Sequence, residues 1–465
     1  MKTQFLSCLN WGWPLALLAA AVVSAEAQER IQPYPENPYY WQYGGQPVML
    51  LGGTDDDNLF QMDDLEAHLD ALSEAGGNYI RNTMSDRDEG NEYAFEQLEN
   101  GKFDLNQWNE EYWNRFARLL QLTHERDIIV QIEVFDRFDY SRSNWPPHPY
   151  NPKNNINYTQ EESGLALEYP NHPGANEQPF FFTTPEQRNN QTVLQYQQRF
   201  VRKMLDHALE YPNVLYCIDN ETSGEEAWAT YWAEFIRGYA KEKGKRVNIT
   251  QMWDAWNLRD EEHRRTLDHP ERYDFVDVSQ NNHQRNQTHW DNFQWVRDYI
   301  QDAPRPINSV KIYGADDGRH GGNDRDALEK FWRLILGGAA SARFHRPDSG
   351  LGLNQDVQAH LRSARLLLAD YALTEARPDA DSSRLSGREE DEAYLSIGDQ
   401  QMALFFTNGG EVSVDLSGWQ GDYQIRWLDI ADSAWLDESE TIDGGDKVPI
   451  SAPQEGFWLA FISPA

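Results

Sequence analysis

Long apolar runs are scarce in this sequence. One lies near the N-terminus at residues 13–23 (WPLALLAAAVV), and it is shorter than the roughly 20 apolar residues that a membrane span needs. Lys2 precedes this run and Ala25-Glu26-Ala27 follows it, which is the pattern of a secretory signal peptide cleaved before Gln28. We therefore expect residues 1–27 to be a signal peptide, the mature protein to be secreted or periplasmic, and no membrane span to follow.

Cysteine is nearly absent, with two residues in 465. Cys8 falls in the expected signal peptide, so Cys217 has no partner for an intramolecular disulfide. The fold must therefore depend on a hydrophobic core, for which the length is ample. Nothing near Cys217 in sequence marks an activated nucleophile, which favours a buried thiol in a strand.

Basic residues are few compared with acidic ones. The sequence has 41 Lys and Arg against 76 Asp and Glu, a formal net charge of −35. Such a field repels phosphate backbones and anionic headgroups, so we expect no nucleic-acid partner. Most of these acids fit a solvated surface.

Eight short apolar runs alternate with segments of helical periodicity. This rhythm predicts an α/β fold, a (β/α)8 TIM barrel over residues 28–374. A long loop from residue 135 to about 184, rich in Pro, Asn and aromatics, interrupts the rhythm and is expected to shape the wall of a cleft. The predicted strands are residues 48–52, 78–82, 128–134, 214–219, 247–251, 275–279, 307–312 and 340–344.

The pattern changes beyond residue 373. Residues 375–383 are polar and contain Pro, which favours a linker. Short alternating runs broken by Gly-rich turns then predict a small antiparallel β-sandwich domain at residues 384–465. Its expected strands are residues 394–397, 402–407, 412–416, 423–428 and 456–462.

Polar residues concentrate where the predicted barrel strands end. Active sites of such barrels lie at the carboxyl ends of the strands, so these side chains are the candidates for function. We expect catalytic roles for Glu221, His283, Lys311 and Tyr313. We expect substrate binding by Asp55, Arg81, Asn82, Glu133, Asn220, Trp253, Asp254, Arg343 and His345.

The fourth strand runs directly into Asp219-Asn220-Glu221. A carboxylic acid at a strand end, walled by aromatic residues, can have a raised pKa and protonate a departing glycosidic oxygen. Glu221 is therefore the expected general acid, and Asn220 could hydrogen-bond a sugar hydroxyl beside it. The alternative is that Glu221 only caps the helix that follows.

These motifs resemble glycoside hydrolases whose barrels carry an Asn-Glu pair after strand four, and more narrowly the apiosidase-like group. That group joins such a barrel to a C-terminal sandwich labelled as a collagen-binding domain. The resemblance covers nearly the whole mature chain and implies a sugar-cleaving barrel. The matching stretches are residues 39–55 (YYWQYGGQPVMLLGGTD), 78–82, 218–221, 331–346 (FWRLILGGAASARFHR), 425–429 and 456–460 (GFWLA).

The seventh strand departs from the hydrolase pattern. Those enzymes carry a nucleophilic Glu at its end, whereas residues 306–314 here read PINSVKIYG, with Val310 or Lys311 at that place. Glu221 must then pair with another acid, or the reaction is not a retaining hydrolysis. The acids considered as its partner are Glu133, Asp254, Asp55 and Asp316.

Basic and imidazole side chains at the strand ends suggest an anionic substrate, such as a uronate or a sulfated sugar. The alternative is that they only balance neighbouring acids such as residues 55–57. With a uronate, β-elimination is a second possible chemistry, with His283, Lys311 or Tyr313 as the base.

We therefore expect an exported enzyme that cleaves glycosidic bonds in an anionic oligo- or polysaccharide. The alternatives are a lyase or dehydratase on uronate-containing oligosaccharides and a non-catalytic carbohydrate-binding barrel. No cofactor is implied. No metal site is expected either, because Asp55-Asp56-Asp57 lacks the spacing of a calcium loop and no His/Cys cluster has zinc spacing.

Overall fold

The structure is a computed structural model that describes residues 30–314 and 321–465. The expected signal peptide and Asp316 lie outside the described residues. Within these ranges no helix combines the length and the apolar character that crossing a bilayer requires.

Eight short strands, β1 to β8, follow one another through the first two thirds of the chain. They occupy the eight segments predicted for strands, with ends that differ by up to four residues. They are β1 (Leu50–Gly53), β2 (Tyr79–Thr83), β3 (Ile129–Asp136), β4 (Val214–Asn220), β5 (Ile249–Thr250), β6 (Val276–Asp277), β7 (Ile307–Asn308) and β8 (Ser341–Phe344).

All assigned pairings among these strands are parallel. β2, β3, β4 and β5 form one sheet in chain order, β6 pairs with β7, and β8 pairs with β1. Backbone hydrogen bonds link the neighbouring pieces, from Asn78 to Leu51 (2.9 Å), from Asp274 to Ile249 (2.9 Å) and from Ala340 to Ile307 (2.8 Å). The carboxyl ends of the strands therefore face the same side of the array.

Helices connect the strands, as the periodicity predicts. α4 shows why: Asn190 caps its N-terminus by accepting from Val193 N, and Val193, Phe200 and Met204 lie on its buried face. The α-helices are α1 (Leu65–Glu74), α2 (Glu110–His124), α3 (Gln160–Ser163), α4 (Gln191–Ala208), α5 (Glu226–Glu242), α6 (Glu261–Leu267), α7 (Asn286–Tyr299), α8 (Asp324–Gly337) and α9 (Gln355–Asp370).

The parallel strands are buried on both faces, which is usual for strands covered by helices. All eight residues of β3 are buried, and so are all seven of β4. Polar side chains among them are paired: the Tyr79 hydroxyl donates to Gln131 at 2.7 Å and accepts from Asn308 at 3.1 Å. Cys217 is a buried free thiol, and burial raises its pKa well above the ordinary value.

The C-terminal region is antiparallel and forms two sheets. β9, β11, β12, β17, β14 and β15 follow one another across a six-stranded sheet, and β10, β13 and β16 form a three-stranded one. The strands are β9 (Arg377–Pro378), β10 (Leu385–Ser386), β11 (Ala393–Ile397), β12 (Met402–Phe406), β13 (Glu411–Asp415), β14 (Asp422–Asp429), β15 (Ala434–Asp443), β16 (Lys447–Ser451) and β17 (Trp458–Pro464).

Several antiparallel strands differ from the prediction. β9 lies in the segment expected to be a linker and pairs with β11. β15 was not predicted because it is exposed along its length and acidic, so it lacks an alternating pattern.

The predicted first strand began too early, because Gln46–Val48 belongs to a separate antiparallel sheet with Trp41–Tyr43. The hairpin of Phe95–Gln97 and Phe103–Trp108 was also missed.

The six-stranded sheet packs against the last helices of the parallel region. Phe405 of β12 stacks on Trp332 of α8, with ring centroids 5.7 Å apart. The Ser363 hydroxyl of α9 donates to the carbonyl of Ile430 at 2.8 Å. Apolar residues of both regions thus share one continuous core.

We predict that Phe405→Ala lowers the free energy of unfolding by about 3 to 5 kcal/mol, because it removes a fully buried ring and leaves a cavity. Phe405 is 0% exposed. Leu436, on β15 of the same sheet, is 40% exposed, and Leu436→Ala should stay within about 0.5 kcal/mol of the unmodified protein. Urea unfolding of both variants measures the difference, and similar losses would contradict the shared core.

Candidate active site

An open cavity of about 660 Å³ lies where strands of the parallel array end, beside Asn220 at the end of β4. The long loop after β3 supplies one of its walls. Its described lining residues are Asp57, Arg87, Asp88, Phe138, Arg142, Asn144, His172, Asn220, Glu221, Asp254, Trp256, His283, Lys311, Tyr313, His345, Arg346, Asp348 and Ser349.

Glu221 is held in this cavity by two donors from the segment after β7. The Lys311 ammonium and the Tyr313 hydroxyl each donate to the same carboxylate oxygen, Oε1, at 2.6 Å. Burial alone would raise the pKa of Glu221, but the Lys311 charge and these two hydrogen bonds lower it well below the ordinary 4.5. Glu221 is therefore ionised, and the raised pKa expected from the sequence was wrong.

The backbone at Glu221 is strained. Its φ is 42°, a left-handed conformation that costs a residue with a side chain of the order of 1 to 3 kcal/mol. The strain occurs because β4 ends at Asn220, and the chain rejoins the sheet immediately afterwards through a bridge between Thr222 and Trp253. The kink between these two points carries the Glu221 side chain to the cavity.

Asn220 joins the Glu221 pair to a second buried cluster. Its side-chain oxygen accepts from Lys311, and its amide nitrogen donates to Asp136 at 3.0 Å. Arg87 donates to the same Asp136 oxygen at 2.5 Å. A continuous hydrogen-bonded chain therefore runs from Arg87 to Glu221 and fixes the orientation of the Asn220 amide.

Asp254 is the second carboxyl group of interest in the cavity. It lies just beyond β5, and its pKa is raised to about 7, first by burial and then by the negative charge of Glu221. The two carboxyl groups therefore have pKa values displaced in opposite directions. One is a permanent anion near neutral pH and the other carries a proton for part of the time, which is how an acid and a base are distinguished in one site.

A layer of buried charges supports the cavity from below. The Arg81 guanidinium pairs with Asp57 and, at 2.7 Å, with Glu133. Arg343 donates to the carbonyl of Val310 at 2.7 Å and to the Thr54 hydroxyl. Because their guanidinium groups already have partners, neither arginine is available to bind substrate without breaking these contacts.

Aromatic and imidazole rings form another wall. The Trp256 ring stacks on His283 with centroids 4.0 Å apart, and His283 contacts Tyr313 at 4.9 Å. Tyr313 in turn contacts His345 at 5.0 Å. Trp256 is 55% exposed, so part of its indole is available to a sugar face.

The structure brings together seven of the thirteen residues selected from the sequence. All four residues expected to be catalytic line the cavity, together with Asn220, Asp254 and His345. Arg81, Glu133 and Arg343 lie beneath them in the supporting layer.

The remaining three selected residues, Asp55, Asn82 and Trp253, also do not line the cavity. Asp55 accepts from Leu353 N at 2.7 Å. Asn82 is buried and accepts from Phe60 N. The Trp253 indole donates to Thr266 at 2.8 Å, and Trp256 lines the cavity instead. Trp145 of the long loop is buried within that loop and donates to the carbonyl of Ala166.

Sequence reasoning missed the four long-loop residues that reach the cavity, namely Phe138, Arg142, Asn144 and His172. Phe138 follows closely after β3, so the rule of inspecting strand ends could have found it. Arg142 and His172 carry no such signal, because only the folding of the loop brings residues 30 positions apart to one wall.

The charges lining the cavity nearly cancel. Four are cationic side chains, and five are carboxyl groups, of which Asp254 is partly protonated. Arg87 pairs with Asp136 and Asp139, Arg346 pairs with Asp57 and Asp348, and Lys311 pairs with Glu221. Cations at the strand ends therefore largely balance protein carboxylates, as Arg81, Lys311 and Arg346 show. In the part of the chain that the structure describes, no group of three or more His, Cys, Asp or Glu side chains could hold a metal ion.

Of the comparisons with known proteins, the one with solved structures supports the fold. Residues 84–293 match a family described as a domain of unknown function, DUF6298. No curated protein matches the sequence. A crystal structure of a glycoside hydrolase family 5 protein from Bacteroides vulgatus is 14% identical, with 95% of each chain covered and a TM-score of 0.64.

Two further structures support the same fold. One is described as a glycoside hydrolase, is 13% identical and has a TM-score of 0.66, with 95% of this chain and 98% of that chain covered. The other is an α-amylase from Geobacillus thermoleovorans complexed with acarbose, 13% identical, with a TM-score of 0.53 and coverage of 94% and 96%. At these identities the likeness shows a TIM-barrel type of fold.

The Glu221–Lys311 pair predicts how stability depends on pH. Because the pKa of Glu221 is lower in the folded state, the stabilisation is fully present above about pH 4.5 and is lost progressively as the pH falls below it. We predict that Glu221→Gln shows a smaller loss of unfolding free energy than the unmodified protein between about pH 6.5 and about pH 3.5.

The same variant should be less stable by about 3 kcal/mol or more at neutral pH, because Lys311 loses its buried counter-charge. Urea unfolding at both pH values tests this. Glu210→Gln, at an exposed carboxylate outside the cavity, is the control and should follow the unmodified protein. An equal loss of unfolding free energy on acidification in all three proteins would contradict the ion pair.

Proposed function

We propose that this protein is a glycoside hydrolase that acts on oligo- or polysaccharides. The observation that carries the proposal is the pair of carboxyl groups in one cavity, with the pKa of Glu221 lowered and that of Asp254 raised to about 7. Most glycoside hydrolases use such a pair, one acid and one carboxylate. The fold-level likeness to glycoside hydrolases supports it as an analogy.

We also propose that the eight parallel strands close into a (β/α)8 barrel. The support is the hydrogen bonds that link the sheet pieces, together with the β8–β1 pairing. The cavity then lies at the carboxyl ends of the strands, where such barrels place their active sites.

In this proposal Asp254 is the general acid. It donates its proton to the glycosidic oxygen as the bond from that oxygen to the anomeric carbon breaks. Glu221, held ionised by Lys311 and Tyr313, either takes a proton from the attacking water or attacks the carbon itself, and water then releases the sugar. NMR of the first-formed product anomer chooses between these routes, since the first inverts and the second retains the configuration.

The substrate is a glycan with an anionic substituent, a uronate or a sulfated sugar. Trp256 offers an exposed aromatic face for stacking, and the polar lining offers hydrogen bonds to hydroxyl groups. The assignment of an anionic substrate depends on those cations of the cavity that are not already neutralised by protein carboxylates.

β-Elimination remains the alternative chemistry on a uronate. The structure favours it less, because burial and then the Glu221 charge raise the pKa of Tyr313 well above its ordinary value, which opposes its use as a base. A non-catalytic carbohydrate-binding barrel is the other alternative, and the assay below distinguishes all three.

The remaining proposals depend on sequence patterns. They are a signal peptide at residues 1–27, export of the mature protein, a barrel domain at 28–374 and a sandwich domain at 384–465. The narrower relation to the apiosidase-like group, with its collagen-binding label for the sandwich, is supported by the motifs at residues 39–55, 218–221 and 331–346.

We predict that Asp254→Asn lowers kcat/KM on an unactivated acidic oligosaccharide by about a hundredfold or more, because the leaving oxygen loses its proton donor. On an aryl glycoside with a good leaving group the loss should be much smaller, whereas Glu221→Gln should impair both substrates. In the unmodified enzyme kcat/KM should fall as the pH rises through about 7, since Asp254 then loses its proton.

Reducing ends and absorbance near 235 nm are recorded together on a panel of plant and algal glycans. Asp302→Asn, at an exposed carboxylate of the loop after α7, is the matched control and should leave turnover unchanged. An unsaturated product would show that the reaction is elimination and not hydrolysis. Binding with neither signal would indicate a non-catalytic barrel, and full activity in Asp254→Asn would remove its assignment.

A further inference from the structure

The cations that line the cavity differ in their partners. Arg87, Lys311 and Arg346 each form ion pairs with protein carboxylates. For Arg142, the structure gives no ion pair with any described carboxylate. An arginine directed at a substrate anion would have this property, whereas the three paired cations are already neutralised.

Arg142 is held in place without such a partner. Its guanidinium lies 5.7 Å from the centroid of the Phe138 ring, in a cation–π contact. Its backbone amide donates to the carbonyl of Tyr169 at 2.6 Å, and its φ of 51° lies in the left-handed region. A strained backbone, fixed by a hydrogen bond from another part of the loop, is the kind of feature that concentrates at binding sites.

His172 contacts the same phenylalanine. Its ring contacts Phe138 edge-on, with centroids 5.3 Å apart. Its Nδ1 accepts from Gly174 N at 3.1 Å. Partial burial and then the nearby Arg142 charge lower its pKa, so near neutral pH the ring carries its hydrogen on Nε2 and can donate it.

This wall borders the two carboxyl groups proposed for catalysis. Ser223, two residues after Glu221, donates to the carbonyl of Gly174 at 3.2 Å. A methyl group placed on Gly174 would lie 3.8 Å from a carboxylate oxygen of Asp254. A substituent bound here would therefore belong to a sugar next to the bond that is cleaved.

We propose that Arg142 and the Nε2–H group of His172 form the subsite that binds the oxyanion, a carboxylate or a sulfate, carried by the substrate. Phe138 holds the two donors on one wall, and the guanidinium supplies the fork that matches two oxygens of the anion. The inference depends on the proposed glycan substrate, and it moves anion recognition from Arg81 and Arg343 to the long loop.

The test is the binding of three probes by calorimetry: trigalacturonate, its carboxyl-reduced neutral counterpart and a sulfated galactan oligosaccharide. Full-length protein carrying Asp254→Asn serves as the background, so that a probe is not turned over. Arg142→Gln should weaken binding of at least one anionic probe at least tenfold more than binding of the neutral one. Arg142→Lys keeps the positive charge and loses the forked guanidinium. Its affinity for the anionic probe should lie between those of the background protein and Arg142→Gln.

Arg188→Gln is the matched control. Arg188 is also exposed and lies 4.7 Å from a phenylalanine centroid, that of Phe182, but it does not line the cavity. The control should bind all three probes like the background protein. Weakening confined to trigalacturonate assigns a carboxylate, and weakening confined to the galactan assigns a sulfate.

If Arg142→Gln weakens the binding of anionic and neutral probes equally, or leaves binding unchanged, the subsite is overturned. A background protein that binds none of the probes would also overturn it. The hydrolysis assay with unmodified enzyme is separate. If that enzyme cleaves no glycan while Arg142→Gln still loses anion binding selectively, the hydrolase proposal fails and the subsite stands.

Discussion

The contact between the buried Lys311 and the partly buried Glu221 is the interaction on which the site depends. Removing two charges from water is costly, and the cost is offset only when geometry and further hydrogen bonds are good. Here Tyr313 donates to the same carboxylate, and Asn220 accepts from the lysine. These contacts keep Glu221 charged in spite of its burial, and they compensate for the strained backbone that presents it.

Lys311 also underlies the division of roles that we propose for the two acids. It lies just after β7 and forms an ion pair with Glu221. A cation at that position stabilises the charge on Glu221, which makes Glu221 a poor proton donor. The fixed negative charge in turn helps to raise the pKa of Asp254, which follows the strand next to β4 and is the acid in the proposed mechanism.

The prediction from sequence was good where local pattern and burial agree. The eight parallel strands are apolar runs bounded by polar turns, and each lies where it was predicted. It failed where burial and pattern disagree, as for β15, which is a long exposed strand without alternation. Within the site, the sequence did not show which of two nearby residues faces the cavity. Trp253 and Trp256 are three residues apart, and only Trp256 lines the cavity.

The amino-acid sequence by itself determined the order of strands and helices and the set of polar residues at the strand ends, because apolar periodicity and strand termination are local properties. The tertiary structure decided which of those residues share a cavity, which cations are neutralised by protein acids, and that Arg142 and His172 lie on one wall. The physical reason is that a pKa, an ion pair or an available charge depends on groups brought together from distant parts of the chain, and spacing along the sequence does not contain those distances.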